Sequence, residues 1–146
     1  MAIATNRVTA RNIVFKIGAT SYAPEINSVE LTLGDAPGGV RAFGEVRASG
    51  MWTMTLNGFT SNEDTGLYRL LWTSFGSEAT FTIQPETGTL SADNPAYTGT
   101  VIFNELPPLT LNAGEEAAFS VSLEVKNTGL DVASNLYYGV TLDTTP

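Results

Sequence analysis

Hydrophobic and polar residues alternate with a period of two along most of this chain. Ile13, Phe15 and Ile17 share one side of a first segment, and Val29, Leu31 and Leu33 one side of a second, opposite Ser28, Glu30 and Thr32. The rhythm returns at Trp52, Met54 and Leu56, at Phe119, Val121, Leu123 and Val125, and at Leu136, Tyr138, Val140 and Leu142. Successive side chains of a strand point to opposite faces, so this alternation predicts antiparallel strands with one face buried and one in water. Shorter runs at 79–84 and 98–103 add two more strands, with turns at Gly34, Gly50, Gly88 and Gly129. The sum is a mainly β chain, an antiparallel β-sandwich or partly open barrel, formed by residues 1–146 as one domain.

One segment departs from period two. Leu67, Leu70, Leu71 and Phe75 recur at helical spacing with Trp72 on the flank, which predicts one short flanking α-helix over 62–75. Ser61 or Asn62 offers an N-cap, Glu63 and Asp64 suit the positive end of the helix dipole, and Gly76 suits the position just past the end. A lone helix in a β chain must bury its apolar stripe against the sheet. The expected core therefore includes Trp52, Leu67, Leu71, Phe75, Phe119 and Val121. The stretch 34–50 is longer than a hairpin turn requires. Within it Val40, Ala42, Gly44, Val46 and Ala48 alternate with Arg41, Phe43, Glu45 and Arg47, which suits either an extended arm with a charged edge or a surface hairpin kept soluble by its charges. The polar ends, 1–10 and 143–146, read as arms that order on assembly.

Composition narrows the function. A chain of 146 residues buries about 68–70% of its unfolded surface and folds without a disulfide or metal. Cysteine and histidine are both absent, which removes the disulfide framework, the usual general base, the commonest transition-metal ligand and the physiological pH switch. Fifteen acidic against seven basic side chains give a formal charge of −8, and no Lys/Arg patch offers the counterion release by which proteins hold nucleic acid. No apolar run approaches the ~20 residues that span a bilayer, so no membrane insertion is expected. Nor do the first residues carry a signal peptide's apolar segment.

Candidate chemistry is sparse. The glycines of 34–39 lack the Gly-Lys-Ser/Thr of a phosphate loop, and Asp93-Asn94 lacks the spaced acidic run of a calcium loop. Glu30 and Glu124 lie on polar strand faces and could be neighbours, yet no run of aromatics accompanies them as a sugar-stacking cleft would need. No catalytic residue, cofactor or metal ligand is assigned, and an enzyme is not expected.

The stretch 52–125 sets its landmarks in a distinctive order. The alternating strand 51–56 leads into the helix; then come Phe81-Thr82-Ile83-Gln84-Pro85, Asn94-Pro95-Ala96-Tyr97-Thr98-Gly99 and a second alternating strand, 118–125. This arrangement resembles the major tail-tube proteins of long-tailed, siphovirus-like phages. The resemblance implies a structural virion protein that polymerises as stacked, hexameric rings into a tail tube, whose acidic and polar lumen conducts DNA during ejection. It implies further copies of itself as the main partner, tape-measure and tail-tip or terminator proteins as others, and double-stranded DNA only in transit. It places the protein in the virion tail after assembly in the host cytoplasm. Candidate lumen-facing residues are Ser28, Glu30, Thr32, Ser120, Ser122 and Glu124, and candidate contacts to the adjacent ring are Asp35, Pro37, Arg41, Phe43, Glu45 and Arg47. Capsid decoration and tail-completion proteins share the architecture, and a carbohydrate- or ligand-binding β-sandwich module is a further alternative.

Overall fold

The computed structural model of the chain describes residues 12–35 and 50–145. In order, the strands are β1 (Val14–Ile17), β2 (Thr20–Ser21), β3 (Ile26–Asp35) and β4 (Gly50–Phe59). The helix α1 (Leu67–Thr73) precedes β5 (Glu78–Gln84), β6 (Ala96–Ile102), β7 (Ala118–Val125), β8 (Leu130–Asp131), β9 (Leu136–Tyr137) and β10 (Val140–Asp143). Every strand pairing is antiparallel.

The sheet branches at β6. One side of this strand pairs with β5, and through it with β1 and β2. The first half of β6 also pairs with β10, while its last two residues, Val101 and Ile102, pair with β7. From β7 the sheet continues to β4 and ends at β3. Phe15, Ile17, Phe81 and Ile83 from one wing and Met54, Leu56, Phe119, Val121, Leu123 and Val125 from the other belong to one buried cluster. The molecule is thus a sheet folded over its own core and not closed into a barrel, as the period-two pattern predicts.

The helix is shorter than the spacing suggests. The residues ahead of Gly66 form a turn instead: Ser61 Oγ accepts the Glu63 N–H, and the Gly66 N–H bonds the Glu63 carbonyl. The first helical N–H, from Leu67, finds its acceptor in Glu25 Oε2 at 3.2 Å, a carboxylate far away in sequence. Leu67 and Leu71 are fully buried, as expected, and Phe119 and Val121 nearly so. Phe75 is not core: it is 55% exposed. The helix stops at Thr73, and Gly76, at φ +87°, turns the chain so that its N–H bonds the Phe103 carbonyl, leaving Phe75 outside the buried stripe. Trp52 is half-buried, its ring against the core and its Nε1–H donating to the Tyr137 carbonyl at 2.6 Å.

A second correction concerns the C-terminal alternation. Leu136, Tyr138, Val140 and Leu142 do not share one strand. Tyr138 and Gly139 both take positive φ, 52° and 103°, and join β9 to β10 in a two-residue hairpin. A side chain at Gly139 would collide with the Lys126 carbonyl, so only glycine fits there.

Candidate functional site

Strand β4 lies between β3 and β7, and the register across the three strands builds a grid. Ser28, Asn57 and Ser120 form one row, Glu30, Thr55 and Ser122 the next, and Thr32, Thr53 and Glu124 a third. Neighbouring strands are about 4.8 Å apart and alternate residues about 6.7 Å, so the nine side chains cover a patch of roughly 10 by 13 Å. The other face of the same strands carries Met54, Leu56, Val121 and Leu123, all buried. A one-residue slip of any strand would exchange the two faces, and the core forbids it.

All six residues flagged from the sequence come together on this face. Ser28, Glu30, Thr32, Ser120 and Ser122 are exposed and Glu124 is half-buried. Thr53, Thr55 and Asn57 complete the grid and were missed. Their signal was the same alternation, since each sits between the buried residues of β4.

Cross-strand bonds tie the grid together. Asn57 Nδ2 donates to Ser28 Oγ at 2.7 Å and the Thr55 and Ser122 hydroxyls share a bond of 3.3 Å, while within β3 Thr32 Oγ1 donates to Glu30 Oε1 at 2.9 Å. Seven hydroxyl or amide side chains and two carboxylates stand on it, with no cation. The patch lacks a base paired to a nucleophile. Among the described residues no group of three or more His, Cys, Asp or Glu could hold a metal ion, and no helix is long and apolar enough to cross a membrane. What such a surface offers is a wet, weakly negative wall.

Each side of this face ends in a strand edge. Among the described residues strand β3 pairs with β4 alone, which leaves the outer edge of its ten residues without a strand partner there. On the other side β7 meets β6 only at Glu124 and Val125. At that last pair the Glu124 N–H also donates to Asn104 Oδ1 at 3.4 Å, and further along β7 a side chain takes the place of the ladder, the Ser122 N–H donating to Glu105 Oε2 at 3.2 Å. Of the residues assigned to a ring-to-ring loop, Asp35 ends β3, paired with Gly50. Pro37, Arg41, Phe43, Glu45 and Arg47 lie outside the described residues. Strands β3 and β4 stay in register out to that last pair, so 36–49 is the connection of one long hairpin.

No family model matches the chain, and no curated protein matches it in sequence. Among solved structures it is similar to the SPP1 tail tube, determined by solid-state NMR and cryo-EM, with a TM-score of 0.63 over 94% of this chain and 80% of that one. The chain has a tail-tube-like fold. Identity over the match is only 10%, so the likeness lies in the path of the backbone. A sandwich of this kind requires only an apolar residue at every second position, and many sequences satisfy that. This explains why comparisons by sequence find nothing while the tail-tube-like backbone is plain.

Proposed function

We propose that the protein is a structural subunit of a phage-type tail tube and not an enzyme. On this reading it closes into rings by joining strand edges, stacks those rings, and turns the β3–β4–β7 face inward as the wall of the lumen. The observation that carries the reading is that face: a polar grid without a cation, flanked on both sides by strand edges lacking a full partner, on a tail-tube-like fold. An open edge as long as β3 invites indiscriminate pairing, and ring closure removes it. Six copies contributing three strands each would give about eighteen, within the range at which closed barrels leave an aqueous channel.

The wall suits passage without capture. Duplex DNA carries one negative charge per ~1.7 Å of axis, and proteins hold it by releasing counterions to Lys and Arg. The grid offers hydroxyls, an amide and the Glu30 and Glu124 carboxylates instead. Screening within ~8 Å at physiological salt limits their repulsion to the immediate neighbourhood of the wall. On the same reading residues 36–49, which connect β3 to β4 in sequence, serve as the contact to the next ring. A tape-measure protein and tail-tip or terminator proteins complete the set of partners, in a virion tail assembled in the host cytoplasm.

Electron microscopy of the concentrated, purified protein tests this: rings or tubes are expected, and monomers at every concentration would refute it. Labelling tests the facing. A Ser122→Cys variant should react with a bulky maleimide as a monomer and be shielded in tubes; equal reactivity in both states would place the grid on the outside.

A further inference from the structure

We propose that Asn104 and Glu105 form a removable guard on the β7 edge, keeping subunits apart until the β3 edge of a second copy displaces them; this rests on the tube reading above. The geometry begins where β6 leaves β7. The Lys126 N–H makes an ordinary ladder bond to the Thr100 carbonyl at 2.8 Å. Two residues back along β7, the Glu124 N–H reaches Asn104 Oδ1, and two further back the Ser122 N–H reaches Glu105 Oε2. Alternate N–H groups of a strand point the same way, so Ala118 and Ser120 face that side too. Ala118, Phe119 and Ser120 line a groove of about 590 Å³ together with Ser28 and Asn57 of the grid and with Pro108 and Thr110.

The chain after Ile102 is prevented from pairing as a strand. Phe103 is committed to the other side of the sheet: its N–H bonds the Ser77 carbonyl, its own carbonyl accepts the Gly76 N–H, and its ring is buried. The Asn104 N–H turns back to the Ile102 carbonyl. Pro107 and Pro108 have no N–H to give a ladder. Pro107 is buried, and the Pro108 carbonyl accepts the Tyr68 hydroxyl at 3.4 Å. The segment is thus anchored at Phe103 and at Pro107–Pro108, while between the anchors the Asn104 oxygen supplements the Ile102–Glu124 pair and the Glu105 carboxylate by itself meets the β7 edge at Ser122.

Those oxygens belong to exposed residues and make one long bond apiece to the β7 backbone. Such contacts satisfy the amides in a monomer and yield to a strand that can offer a whole row of carbonyls. Strand β3 is that strand. Its outer edge has no strand partner among the described residues, its ten residues exceed the eight of β7, and its Ser28, Glu30 and Thr32 would continue the polar face across the joint. Pairing of two subunits must then first displace the guard, which slows the early steps of assembly.

The experiment compares polymerisation of the wild type, Asn104→Ala/Glu105→Ala and Glu105→Gln, by light scattering and microscopy, with amide exchange read at Ser122 and Glu124. Removing both acceptors should shorten the lag by on the order of tenfold, as expected for two lost hydrogen bonds. It should also speed exchange of both amides in the monomer and leave their protection in tubes unchanged. Glu105→Gln keeps an acceptor oxygen and should assemble as slowly as the wild type. Equal lag in all three proteins, or slower assembly of the alanine variant despite an unchanged Tm, would overturn the guard alone. Absence of rings or tubes from every protein would overturn the tube reading and the guard with it.

Discussion

Replacing Leu71 by alanine separates the buried stripe of the helix from its exposed flank. Leu71 is fully buried in a helix of seven residues, too short to persist without its packing. The substitution removes three carbons, about 2.4 kcal/mol of transfer free energy at ~0.8 kcal/mol per carbon. The cavity left behind brings the cost to roughly 3–5 kcal/mol. For a chain of this length each kcal/mol lowers Tm by about 2–4 °C, so the melting point should fall by roughly 6–20 °C. Phe75 and Trp72 carry larger side chains but are 55% and 44% exposed, and either alanine variant should cost less than about 1 kcal/mol. Calorimetry or circular-dichroism melts of the three variants, at low protein concentration, read the difference directly. Unchanged melting of Leu71→Ala, or an equal loss from Phe75→Ala, would show that the helix packs by a different face.

Glu25→Ala should destabilise the fold by about 1–2 kcal/mol, because the carboxylate is the acceptor for the first N–H of the helix, while Glu25→Gln should keep most of that stability; thermal melts of the pair decide it. Glu30→Lys/Glu124→Lys changes the formal charge by two units at each site; tubes should still form, but should now bind duplex DNA, less tightly as salt is raised, and a filter-binding titration showing no binding would count against a lumen position. Shortening 37–47 to a tight turn should leave a domain with wild-type circular dichroism, since β3 and β4 pair up to Asp35 and Gly50, yet abolish polymerisation; normal tubes would remove this segment from the interface.

How much of this was legible in the sequence depends on the range of the interaction concerned. The period-two pattern fixed which residues of β3, β4 and β7 point to water, because side-chain alternation belongs to a single strand and needs no neighbour. For the same reason Leu67 and Leu71 were recognisable as one apolar stripe, and Ser28, Glu30, Thr32, Ser120, Ser122 and Glu124 as polar faces. That these faces form one grid was not legible: it depends on β4 lying between β3 and β7, a pairing of segments far apart in the chain. The helix start escaped for a similar reason. Ser61 and Asn62 look like caps, but the acceptor that begins the helix is the carboxylate of Glu25, brought there by the sheet. Phe75 fits the helical spacing, yet the Gly76–Phe103 bond ends the stripe before it. The pattern from Leu136 to Leu142 was real but folded in half at Tyr138 and Gly139, where a close approach to the Lys126 carbonyl, visible only in three dimensions, requires the glycine. Local chemistry set the face each residue shows; long-range pairing decided which faces meet.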